Sequence, residues 1–125
     1  MNTARHLLEF KSSPIWSIEP EKTVFEALHL MAEKQVGALL VLEGDKLVGI
    51  VSERDYARKV ILNGRSSRET LVKEIMSFPV ITVHPEQTVQ ECMEVMTNNH
   101  IRHLPVVEGE TLLGVISIGD VVRDL

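Results

Sequence analysis

The chain is written twice, and no other feature limits its fold as strongly. Leu7–Val60 lies over Val72–Leu125 without a gap: Pro14 meets Pro79, Pro20 meets Pro85, Thr23-Val24 meets Thr88-Val89, and Glu43-Gly44 meets Glu108-Gly109. Gly49, Ser52, Asp55 and Arg58 meet Gly114, Ser117, Asp120 and Arg123. The polar stretch between the copies, with Gly64, Ser66 and Ser67, reads as a linker. The organisation expected is therefore repeat 1 over residues 7–62, a linker over 63–71 and repeat 2 over 72–125.

Both copies carry the same order of local signals. A short apolar strand, Ile15–Ile18 or Val80–Val83, leads into a proline turn. Thr23 with Glu26, and Thr88 with Glu91, then fit a capping box that opens a helix. Val24, Ala27, Leu28 and Met31 follow helical spacing behind the first cap, and Val89, Cys92, Met93 and Met96 behind the second. Two apolar runs follow around Glu43-Gly44-Asp45 or Glu108-Gly109-Glu110 and read as hairpins. A second helix ends each copy, the first running to about Leu62. One such unit is too small to bury a good core alone. The pattern predicts an α/β (α+β) module of two β-α-β-β-α units with internal pseudo-two-fold symmetry.

Composition narrows the function. A net charge of -5 argues against nucleic acid and anionic membrane surfaces as partners. The lone Cys92 cannot form an internal disulfide, no apolar run is long enough to span a bilayer, and Met1–Phe10 lacks the pattern of a signal peptide. A cytoplasmic protein is expected. Cys92 and the methionines read as core filling. His84, His100 and His103 do not share a helix face with other ligands, so no metal is expected. No nucleophile, base and orienting acid recur as a set, and the chain does not read as an enzyme.

The distinctive motif is Gly49-Ile50-Val51-Ser52-Glu53-Arg54-Asp55, repeated as Gly114-Val115-Ile116-Ser117-Ile118-Gly119-Asp120. Each marks a strand ending and a helix beginning with Ser-x-x-Asp. Helix capping alone accounts for such a pair. The same geometry offers amides to a phosphate and a carboxylate to a ribose diol, and the two roles are compatible.

The doubled Gly-x-x-Ser-x-x-Asp, with His100-Ile101-Arg102-His103-Leu104-Pro105-Val106-Val107 ahead of its second copy, resembles the CBS domain family. The resemblance implies a module with two clefts that take adenosine nucleotides and report to a partner protein. By that resemblance one cleft joins Ser52, Arg54 and Asp55 to Val80, Ile101, Arg102 and His103. The other joins Ser117 and Asp120 to Ile15, Val36, Gly37 and Ala38. The first holds Arg54, Arg102 and His103 where the second has Gly119, Gly37 and Ala38, with Lys11 the one obvious cation near the second. NAD(H) and AMP are the favoured ligands, and ATP and ADP fit the same reading. S-adenosylmethionine fits less well, since its sulfonium would meet two arginines. The resemblance also implies a homodimer, for which Ala57, Val60, Ile61, Val121 and Val122 offer an apolar surface. The alternative is a structural dimerisation or scaffold module whose clefts are vestigial.

Overall fold

In the computed structural model, which describes residues 2–10 and 14–124, the order is α1 (Ala4–Glu9), β1 (Ser17–Ile18), α2 (Val24–Lys34), β2 (Ala38–Glu43), β3 (Lys46–Ser52), α3 (Glu53–Tyr56), a π-helical turn over Ala57–Ile61, α4 (Val72–Ile75), α5 (Val89–Asn99), β4 (His103–Glu108), β5 (Thr111–Ser117) and α6 (Ile118–Asp124). The chain falls into two compact units. One is Trp16–Val80; the other combines the residues up to Ile15 with those from Ile81 onward. The mix of helix and strand is the α+β arrangement the repeat predicts.

In Trp16–Val80, β1 runs parallel to β2 and β2 antiparallel to β3. The capping box at Thr23 forms in full, with the Thr23 hydroxyl accepting from the Glu26 amide at 3.1 Å and the Glu26 carboxylate accepting from the Thr23 amide at 3.2 Å. Val24, Ala27 and Met31 of α2 pack into one core with Leu39, Val41, Val51, Val60, Val72 and Ile75. The polar stretch after Leu62 is anchored here as well. The amides of Val24 and Phe25 donate to the carbonyls of Thr70 and Ser67 at 2.8 and 2.9 Å, and the Arg68 guanidinium lies 4.0 Å from the Phe25 ring centre. Thr70 is buried, its hydroxyl satisfied by the Ser66 carbonyl at 2.7 Å.

The second unit builds the same hairpin from β4 and β5 and the same cap at Thr88. Its core gathers Ala4, Leu7, Val89, Cys92, Met96, Leu104, Val106, Ile116 and Val121. Cys92 is fully buried, and desolvation pushes its thiol up to about 11, which keeps it protonated and inert at neutral pH.

The structure corrects three expectations. The first strand of repeat 2 is not formed over Val80–Val83; it shrinks to a single parallel bridge between Val83 and Val106. In repeat 1 the Leu40 amide donates to the Trp16 carbonyl at 3.2 Å. The residue matching Leu40 is Pro105, which has no N–H to give. Secondly, Val60 and Val121 do not offer a dimer surface, because both are fully buried; Ile61, Leu62 and Val122 are exposed. Thirdly, the repeats do not match without a gap. The bond from the Val72 amide to the Lys22 carbonyl is mirrored by one from Ala4 to Gln87, and Lys73 to Pro20 by Arg5 to Pro85. Helices α1 and α4 are thus three positions out of step with the rest of their repeats.

Candidate functional site

Strand β3 ends at Ser52 in extended conformation, with φ at -131° and ψ at 165°, and α3 starts on the next residue. The Ser52 hydroxyl accepts from the Asp55 amide at 3.2 Å. One Asp55 carboxylate oxygen accepts from the Ser52 amide at 2.9 Å and from its hydroxyl at 3.1 Å. In repeat 2 the Asp120 carboxylate accepts from the Ser117 amide at 2.7 Å and from its hydroxyl at 3.0 Å. Both Ser-x-x-Asp motifs are therefore reciprocal helix caps.

The start of each hairpin is tied to the same place. Gln35 and His100 end α2 and α5 in the left-handed region, with φ at 56° and 55°, and turn the chain back toward the sheet. The Glu53 amide donates to the Gly37 carbonyl at 3.0 Å, and Ile118 to Arg102 at 2.9 Å. Ala38 faces Ser52 in register, and His103 faces Ser117. Within repeat 1 the fold thus brings Ser52 and Asp55 beside Gly37 and Ala38. Within repeat 2 it brings Ser117 and Asp120 beside Arg102 and His103. The first and third amides of each closing helix are already bonded, so the open row of amides expected for a phosphate is not there; a phosphate would rely on side chains. Val36 and Ile101 are partly buried behind these turns, Val80 is half-buried and Ile15 exposed. Lys11 lies outside the described residues.

The other carboxylate oxygen distinguishes the repeats. In repeat 1 it pairs with Lys59 at 3.1 Å, one helical turn on, and the Lys59 ammonium also donates to the Ile75 carbonyl at 2.8 Å. In repeat 2, where the residue matching Lys59 is Asp124, the partner is Arg123. The Asp55 side chain is left 14% exposed and that of Asp120 only 4%. Sequence reasoning missed Lys59 and Arg123 in this role, although Asp55/Lys59 and Asp120/Arg123 have the spacing at which helical side chains meet. Arg54 and Arg102 are exposed, and among the described residues neither side chain has an ion pair or hydrogen bond. A cavity of about 540 Å³ lies elsewhere: it is lined by Ile18, Pro20, Glu21, Leu42 and Glu43, among others, at the turn end of the β2–β3 hairpin.

The profile of the CBS domain matches residues 7–62 and 72–125. The mitochondrial CBS domain-containing protein CBSX3 of Arabidopsis thaliana is 47% identical over 82% of this chain, which spans 52% of that relative's length. The CBS domain-containing protein YhcV of Bacillus subtilis is 31% identical, with 87% of this chain and 77% of that protein covered. Among solved structures, a protein with CBS domains from Burkholderia ambifaria superposes with a TM-score of 0.95 at 48% identity, covering 98% of this chain and 93% of that one. Repeat, hairpin and doubled cap thus converge on one assignment: the chain belongs to the CBS domain family, of which it carries two copies.

Proposed function

We propose that this CBS pair is a non-catalytic cytoplasmic regulator that binds an adenosine nucleotide, NAD(H) or AMP before ATP or ADP, and alters its contacts with a partner protein. The ligand-bearing set is Ser52, Arg54 and Asp55 with Val80, Ile101, Arg102 and His103. The observation that carries this reading is the contrast between the two caps. Asp55 keeps part of its carboxylate open beside an exposed Arg54, whereas Asp120 is nearly sealed and has Gly119 in place of the arginine. Ser117 and Asp120, with Ile15, Val36, Gly37 and Ala38, are the weaker set. A ribose diol suits the open carboxylate, and phosphate suits the arginines.

Titration of AMP and adenosine into wild type and Arg102→Gly tests this. AMP affinity is expected to fall by about five- to a hundredfold, the range of roughly 1–3 kcal/mol for a charged contact. Adenosine is expected to change little. Equal losses for both ligands, or a nucleotide bound only beside Asp120, overturn the assignment. A second reading, a scaffold with vestigial clefts, draws on the caps themselves, since both oxygens of each carboxylate already make local bonds; it requires that no nucleotide bind at all. In either reading we infer a homodimer, supported by the exposed Ile61, Leu62 and Val122. Sedimentation as monomer alone at micromolar concentration, with and without nucleotide, overturns that pairing.

A further inference from the structure

We propose that the groove at the turn end of the β2–β3 hairpin receives an arginine side chain presented by a partner protein. Repeat 2 holds the occupied version of the same groove. There the Arg5 amide donates to the Pro85 carbonyl at 2.9 Å, and its guanidinium bridges two carboxylates, Nε to Glu86 at 2.8 Å and Nη2 to Glu108 at 3.1 Å. Those hydrogen bonds, Glu86 first, hold the guanidinium above its ordinary pKa. The matching carboxylates in repeat 1 are Glu21 and Glu43. The residue at the backbone position of Arg5 is Lys73, whose amide donates to Pro20 at 3.0 Å.

Lysine cannot repeat the bridge. Its ammonium is a single point of charge, where arginine presents a planar fork. Lys73 reaches Glu21 at 3.1 Å and stops there. The cavity of about 540 Å³ stays open, with Ile18, Pro20 and Leu42 to pack an aliphatic stem. Among the described residues, neither Glu43 nor Glu19 has an ion pair, and Glu19 stands where repeat 2 has His84. Lys22 turns to Glu26 at 4.0 Å, and Lys46, opposite Glu43 in register, makes no ion pair with it. The groove thus combines two carboxylates without an ion pair, Glu19 and Glu43, with an apolar floor, in a frame that its own duplicate uses to hold a guanidinium.

The test is an amide NMR titration of the whole chain with a blocked Gly-Arg-Gly peptide, the matching Gly-Lys-Gly peptide and free arginine. The arginine peptide is expected to shift the Glu43 and Gly44 amides and to half-saturate at a concentration about fivefold below the lysine peptide. Gly109, at the filled groove, should not move. Glu43→Gln should weaken the arginine peptide by about fivefold or more. Lys73→Arg should abolish its binding by supplying the guanidinium from within, and the unperturbed amides of each variant report that it is folded. No shift at Gly44, an equal shift at Gly109, a lysine peptide as good as arginine, or an unaffected Lys73→Arg overturns the proposal. Free arginine binding as well as the peptide would make the site one for a small molecule and overturn the partner assignment.

Discussion

Asp55 and Asp120 occupy the same place in their repeats and make the same cap, yet the next helical turn gives them different surroundings. Lys59 reaches Asp55 from four residues on and is itself held by the Ile75 carbonyl, whereas Asp120 is closed over by Arg123. Capping was legible in the sequence, because Ser-x-x-Asp at a strand end allows few other local geometries. The unequal exposure was not, since it depends on which cation folds back. The two roles of Asp55 separate in Asp55→Ala. Loss of the cap should lower stability by about 1 kcal/mol. Loss of the hydrogen bonds that ribose hydroxyls would donate to the charged carboxylate, about 1.5–3 kcal/mol each, should weaken AMP by at least about tenfold. Calorimetric titration beside thermal melts measures both, and an unchanged affinity with a lowered melting temperature would sink the ribose role.

Among the elements, helices and hairpins were the most legible. Helices α2 and α5 each open on a Thr and Glu pair, and each hairpin turns on a glycine, Gly44 or Gly109, with φ at 63°. The first strand of repeat 2 misled for a definite reason. The apolar run Val80–Val83 looks like its counterpart, but strand formation also needs a donor on the neighbour, and Pro105 removes it. Two glycines owe their place to packing between elements rather than to turns. A Cβ on Gly49 would come within 2.5 Å of the Met76 sulfur, and one on Gly114 within 2.7 Å of a Leu8 methyl. Their appearance in the family motif thus reflects a side chain seated on the strand as well as the site beside it. That tie is invisible in sequence, because Met76 and Leu8 do not align in the ungapped repeat.

Over the whole molecule, α1 and α4 are used where linear order would not place them. Ala4 and Leu7 belong to the core that contains Leu104, Ile116 and Val121, while Val72 and Ile75 belong to the core with Leu39, Val41 and Val51. The ungapped alignment sets Leu7 over Val72 and so assigns each segment to the repeat it opens. The backbone bonds from Ala4 to Gln87 and from Val72 to Lys22 show the crossing instead. Two variants make it measurable. Leu7→Ala and Ile75→Ala each remove a buried side chain, at a cost of about 2–5 kcal/mol. Hydrogen exchange should then rise in a crossed pattern. Leu7→Ala should lose protection first in α5, β4 and β5, although Leu7 sits at the head of repeat 1. Ile75→Ala should lose it first in α2, β2 and β3. If each variant instead loosened the repeat in whose opening segment it lies, or both hairpins equally, the two cores would not be divided as the backbone bonds divide them.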